Sequence, residues 1–286
     1  MHTLLISATE LQQLLASPQK TVVFDCSFDL ARPEAADALF AQVRIAGARQ
    51  AHLDRDLSAQ DTAQAVNGGR HPLPRREILA DWLGRMGVDN TTQVVVYDRN
   101  GCNYCGRLWW MLKWLGHDAV AVLDGGLQAW QAAGGATDSG QVQAAWTACS
   151  FALHEPLRQL VGTQAVADAL GRPGQTLVDA RGAPRYRGDV EPLDPVAGHI
   201  PGALNRPFTD NFGPDGRFKP AQQLRSEWQA LLGVRPADSV VHHCGSGVSA
   251  TPNLLSMELA GYPPGALYAG SWSEWCRTPG LPCARG

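Results

Sequence analysis

The chain of 286 residues repeats itself. Val-Val-Val-Tyr-Asp at 94–98 returns as Val-Val-His-His-Cys at 240–244, and Leu-Asp-Gly-Gly-Leu-Gln-Ala-Trp at 123–130 returns as Tyr-Ala-Gly-Ser-Trp-Ser-Glu-Trp at 268–275. Ile-Ala-Gly-Ala at 45–48 matches Ile-Pro-Gly-Ala at 200–203, and Val-Phe-Asp at 23–25 matches Leu-Val-Asp at 177–179. The blocks recur in one order at offsets of 145 to 155 residues, which fits duplicated domains and is too long for a solenoid. Residues 1–135 are expected to form one copy and 157–286 the other. The stretch 136–156, with Gly-Gly, Asp-Ser-Gly and several alanines but no counterpart in the repeat, reads as a linker.

Each copy alternates short apolar runs with helical stretches. Strands are expected at 21–25 and 93–97 in the first copy and at 176–179 and 239–243 in the second. Helices are expected at 106–115, 127–133, 221–232 and 252–260, and a further one opening behind Ser7 and Glu10, which have capping-box spacing. Alternating strands and helices imply an α/β fold in each copy, a mostly parallel sheet flanked by helices. Ligands of such sheets sit beyond the carboxyl ends of the strands.

Cys244 occupies that position. A hydrophobic strand stops on it, the loop Gly-Ser-Gly-Val-Ser-Ala follows at 245–250, and Pro252 fits the first turn of a helix. Loop N–H groups curling toward the sulfur, with a helix N-terminus behind them, favour thiolate over thiol. Cys244 is therefore the expected nucleophile. The first copy has Asp98 in its place, which cannot act as a soft sulfur nucleophile, so that copy is expected to be inactive.

Composition narrows the remaining classes. Formal net charge is −3, with 44% hydrophobic and 18% charged residues, so the chain is globular and shows no basic footprint for nucleic acid or an anionic membrane surface. No apolar run approaches a membrane span. The N-terminal residues lack the charged and apolar regions of a secretory signal, so a cytoplasmic location is expected. Seven scattered cysteines argue for free thiols rather than a disulfide framework. No cofactor is expected, since neither a P-loop nor a dinucleotide fingerprint is present.

Together, the loop 244–250, Gly-His-Ile-Pro-Gly-Ala-Leu-Asn at 198–205, Val-Asp-Ala-Arg-Gly-Ala-Pro-Arg-Tyr at 178–186 and Gly-Ser-Trp-Ser-Glu-Trp at 270–275 resemble the tandem-domain sulfurtransferases of the rhodanese superfamily. The resemblance covers nearly the whole chain. Thiosulfate enzymes of that family place Arg and Lys directly after the cysteine. Here Gly245 and Ser246 stand there, which looks like the 3-mercaptopyruvate branch, with Ser249 where threonine is usual. The resemblance implies a persulfide on Cys244, release of pyruvate, and sulfur transfer to a thiol acceptor such as thioredoxin or a small thiol, or to cyanide. Thiosulfate as donor is the alternative.

The resemblance also implies site residues. Arg185 matches a donor-binding arginine, with Gly245, Gly247, Val248 and Ser249 as the substrate-facing loop. A second family arginine falls at Asp194, a departure for which Arg187 or Arg181 are possible substitutes. Ser246 is matched to a proton relay with His71 and Asp56, with Asp54 and Asp61 as fallbacks. Asp179 is expected to brace loops, His199 to bond within its turn, and His243 to point away from the nucleophile. A monomer is the default for such a tandem chain.

Rival readings carry less. A cysteine phosphatase needs Cys-x5-Arg, and Ala250 stands at the arginine position. Cys102-Asn-Tyr-Cys105 has the spacing of half a zinc site or a dithiol, without a second pair. A persulfide carrier without turnover would need neither Arg185 nor Ser246.

Overall fold

The computed structural model describes residues 1–141 and 146–286. The chain divides into two compact units. The first contains Met1–Gln64, Pro74–Leu157 and Pro214–Arg217; the second contains Ala65–Leu73, Arg158–Gly213 and Phe218–Gly286.

In the first unit the strands are β1 (Leu5–Ile6), β2 (Thr21–Asp25), β3 (Arg44–Ile45), β4 (Arg49–Gln50), β5 (Gln93–Tyr97), β6 (Val120–Leu123) and β7 (Thr137–Asp138). Five of them form a sheet in the order β1-β6-β5-β2-β4, and every pairing in it is parallel. β3 and β7 pair separately and antiparallel. The helices are α1 (Ala8–Leu15), α2 (Ala35–Gln42), α3 (Arg76–Arg85), α4 (Cys105–Trp114) and α5 (Gly126–Ala132). Ser7 opens α1 through the capping box expected from sequence: its hydroxyl accepts from Glu10 N while the Glu10 carboxylate accepts from Ser7 N.

The second unit repeats this topology with β8 (Thr176–Asp179), β9 (Leu204–Asn205), β10 (Val240–His243) and β11 (Ala266–Leu267) in the order β11-β10-β8-β9. Leu160 bridges to Leu267 in parallel and marks the edge that β1 occupies in the first unit. Its helices are α6 (Thr163–Asp168), α7 (Ala183–Arg187), α8 (Ala221–Leu232), α9 (Thr251–Leu259) and α10 (Ser271–Trp275). Ser239, expected in the strand, closes a 3-10 turn over Ala237–Ser239 instead, because Pro236 sets the chain turning just before β10. Short α7, with proline in its first turn and left-handed Gly188 at its end, has no apolar periodicity and was not expected as a helix.

Parallel pairing fixes the correspondence of the two copies. Asp25 lies opposite Tyr97 and Asp179 opposite His243, so the next residues, Asp98 and Cys244, leave equivalent strand ends. The central strands are buried throughout, as a sheet covered on both faces requires. The cores are separate: Val23, Val95, Leu123 and Trp130 pack in the first unit, and Val241, Tyr268, Trp272 and Trp275 in the second.

The stretch expected to be a linker carries β7 and further contacts within the first unit. Cys149 N donates to Gly84 O, and His154 N to Leu115 O. Residues 142–145 of that stretch lie outside the described residues.

Candidate active site

The loop that follows β10 begins at buried Cys244. Trp272 N donates to Cys244 O and Ser273 N to Gly245 O, while Cys244 N donates to the Ser271 hydroxyl, 3.1 Å. These bonds tie the start of α10 to the loop. Gly247 has φ +73°, and a Cβ there would run into the carbonyl of Ala269, so only glycine closes this turn without displacing backbone. Among the described residues, the backbone N–H groups of Ser246, Val248 and Ala250 meet no carbonyl oxygen of the chain.

The first unit shows what such a cradle holds when it is filled. The Asp98 carboxylate accepts from four backbone N–H groups: Asn100 and Cys102 on Oδ1, Tyr104 and Cys105 on Oδ2, at 2.8–3.0 Å. Gly101, φ +67°, turns the loop as Gly247 does. Asp98 is thus the anion of its own loop, although complete burial raises its carboxyl above the usual range. Cys102 and Cys105 lie in the same buried loop with thiols pushed up, mainly by desolvation, which opposes the reactivity a redox pair requires. Among the described residues no cluster of three or more potential metal ligands occurs.

Ser246 Oγ lies 2.7 Å from His71 Nδ1, and both residues are buried. His71 belongs to the second unit although the first copy of the repeat encodes it. Asp56 belongs to the first unit, where its carboxylate accepts from His52 N at 2.8 Å and burial raises its carboxyl. Of the fallbacks, Asp61 is exposed and accepts from Ala63 N, and the backbone carbonyl of Asp54 accepts from the Gln60 side chain.

Arg185, in the middle of α7, directs Nε and Nη2 to Glu191. Its Nη1 stands 3.6 Å from where a Gly245 Cβ would be. Glu191 Oε1 also accepts from Leu193 N and Asp194 N, so one carboxylate closes the turn and holds the arginine. Val248 is buried, and Ser249 is half-buried ahead of α9.

Two expectations need correction. Arg187 is half-exposed and paired with Asp189 at 2.6 Å, so its guanidinium is engaged there and not offered as the missing second arginine. Arg181 is buried and donates to both oxygens of Asp179 and to Gly198 O, so its fork is fully used. Burial opposes the charge of Asp179, but His243 and Arg181 hold its carboxyl below the usual range, consistent with a bracing role. His199 stacks on Tyr186, ring centroids 3.9 Å apart, and its Nδ1 pairs with Tyr186 O. His243 is buried beside Asp179 at 3.9 Å, and burial lowers its pKa.

The residue that sequence reasoning passed over is Arg70. Its Nη1 bonds Asp194 at 2.8 Å and its Nη2 stands 3.0 Å from the Gly245 Cβ position. Asp194 is wholly buried at its side chain and also takes Arg277 at 2.8 Å, with Arg185 at 3.5 Å. The available signal was a complementary pair: a basic residue beside His71, and an acid where the resemblance implied a base.

Comparison with known proteins agrees with this geometry. The sequence profile of the Rhodanese-like domain family matches residues 7–133 and again 163–278. The chain belongs to this family, as a tandem of two such domains. It is 46% identical over 283 residues to a probable 3-mercaptopyruvate sulfurtransferase of Pseudomonas aeruginosa, covering 99% of this chain and 98% of that one. It is 37% identical to a putative thiosulfate sulfurtransferase of Mycobacterium tuberculosis, covering 99% and 97%. Among solved structures, the 3-mercaptopyruvate sulfurtransferase of Leishmania major superposes with a TM-score of 0.82 at 28% identity, covering 98% of this chain and 76% of that one. An Escherichia coli relative, described as a 3-mercaptopyruvate sulfotransferase with the rhodanese fold, superposes at 0.78 with 29% identity, covering 96% and 100%.

Proposed function

We propose that the protein is a sulfurtransferase that takes sulfur from 3-mercaptopyruvate onto Cys244 and passes it to a thiol or to cyanide. The observation that carries this reading is the pair of cradles. In the first, a carboxylate collects four N–H groups; in the second, three of the four equivalent groups, those of Ser246, Val248 and Ala250, meet no carbonyl oxygen among the described residues and are left for whatever forms on Cys244, while the fourth, Thr251 N, donates to Val248 O. The outer sulfur of a cysteine persulfide is the same number of bonds from Cα as a carboxylate oxygen of aspartate. Asp98 therefore resembles a persulfide anion in its cradle, and N–H groups preorganised for such an anion are the sulfur equivalent of an oxyanion hole.

The reaction balances on these residues. Cys244 thiolate attacks the donor sulfur, an S–S bond forms and the carbon–sulfur bond breaks. The bonding pair goes to C3 as an enolate conjugated with the keto group. The proton of the donor thiol ends on C3, giving pyruvate and the Cys244 persulfide. Ser246 and His71, in hydrogen-bond contact, suit that proton movement. A second thiolate, from a small thiol or thioredoxin, or cyanide, then attacks the outer sulfur and returns the pair to Cys244. Two half-reactions through a covalent intermediate predict ping-pong kinetics. Arg185, Gly245, Gly247, Val248 and Ser249 form the donor side of this scheme. Residues 1–135 act as the inactive copy and 157–286 as the catalytic one, in a cytoplasmic monomer.

Steady-state turnover of 3-mercaptopyruvate and of thiosulfate, each with cyanide, tests the reading beside a Cys244→Ser control. Preference for 3-mercaptopyruvate, lost in the control, is expected. Preference for thiosulfate would favour the activity after which the mycobacterial relative is named. A reactive Cys244 with no turnover of either donor would leave only a persulfide carrier.

A further inference from the structure

The donor carries a carboxylate, and a planar guanidinium fork is the side chain that best matches it. Arg185 alone offers little of its fork, because Nε and Nη2 are spent on Glu191. One more cation faces the same point. Arg70 Nη2 and Arg185 Nη1 lie 3.0 and 3.6 Å from the place where residue 245 would carry a Cβ, directly beside the nucleophile. Glycine leaves that place empty. Arg70 Nη1 is fixed by Asp194, whereas its Nε is buried and has no hydrogen-bond partner among the described residues. Buried donors without acceptors are costly, and they are found where a ligand is awaited.

We propose that Arg70 is the second donor-binding arginine, and that Arg70 and Arg185 together hold the carboxylate of the sulfur donor over Gly245. Asp194 is the buried post that aims the pair: it takes Arg70 at 2.8 Å and stands 3.5 Å from Arg185. The acid at 194 removes an arginine from one side of the site and orders one on the other, so the cation count at the donor carboxylate is kept. This inference rests on the proposed keto-acid donor and adds to it a specificity residue that resemblance alone did not indicate.

The test is steady-state kinetics of the full chain with 3-mercaptopyruvate, for wild type, R70Q and R70K, together with inhibition by pyruvate. Pyruvate has the carboxylate but no sulfur. Losing one charge-assisted pair is expected to raise KM about 10- to 100-fold in R70Q, with kcat within about threefold of wild type. The pyruvate inhibition constant is expected to rise in parallel. R70K, which keeps the charge without the fork, is expected to fall between. An R70Q KM within about twofold of wild type overturns the inference. So does a raised KM with unchanged pyruvate inhibition, since Arg70 would then not touch the carboxylate. A fall in kcat alone, or one that follows a lowered unfolding temperature, overturns it too, by making Arg70 a support for His71. If wild type does not turn over 3-mercaptopyruvate, the proposed function fails and this inference fails with it. If wild type turns it over and R70Q matches it, only this inference fails.

Discussion

The contact between Ser246 Oγ and His71 Nδ1 offers a path for a proton between the loop that follows Cys244 and the His71 ring. Removing the hydroxyl in Ser246→Ala should lower kcat on 3-mercaptopyruvate about 100-fold, the usual weight of a positioned proton carrier. Alkylation of Cys244 should continue in that variant. His71→Gln should cost a similar factor, and the double variant little more than either single one, because the two act as a unit. Rapid-quench measurement of pyruvate release checks all three. Losses that multiply in the double variant would show that the residues work independently.

At the scale of single elements, the loop after β10 depends on Gly247. With φ +73° and the Ala269 carbonyl where a Cβ would stand, Gly247→Ala must move the turn, and with it the loop N–H groups proposed to hold the persulfide. A destabilisation of about 2 kcal/mol or more is expected in urea unfolding, together with loss of persulfide accumulation by mass spectrometry. The longer elements were legible in sequence because their periodicity is strong. The strands at 21–25, 93–97 and 176–179 and the helix at 221–232 follow apolar patterns that the structure repeats residue for residue. Short α7 and two-residue β11 are set by tertiary packing and turn residues, so periodicity could not reveal them. The same limit applies to the site. Cys244 and Ser246 stand in a motif, whereas Arg70 is one polar residue in a loop, and its partner Asp194 is far away in sequence.

For the molecule as a whole, pH acts on the buried core of the second unit. His242 is fully buried against Trp228 and Met257, and burial above all pushes its pKa down to about 3 from the ordinary 6.5. A histidine depressed in the folded state contributes its full stability above the unfolded value. That contribution drains as pH falls from about 6.5 toward about 3. Melting temperature should therefore decline on acidification through this window. His242→Phe, which fills the space without a titrating group, should flatten the slope, and an unchanged slope would assign the acid sensitivity elsewhere. The duplication makes another prediction. Asp98→Cys in a Cys244→Ser background should show no sulfur transfer. The position corresponding to Arg185, counted from the paired strand ends Asp25 and Asp179, is Ala31, so a thiol there gains a cradle without a donor site.

The second compact unit includes Ala65–Leu73, a piece encoded within the first copy and carrying Arg70 and His71. A gene cut between the two repeats would thus yield a carboxyl-terminal product with its cysteine loop complete and two residues of its proposed chemistry left on the other polypeptide. Inheritance of the carboxyl-terminal half without its neighbour is therefore expected to lose the proposed sulfur transfer, because Arg70 and His71 would stay behind.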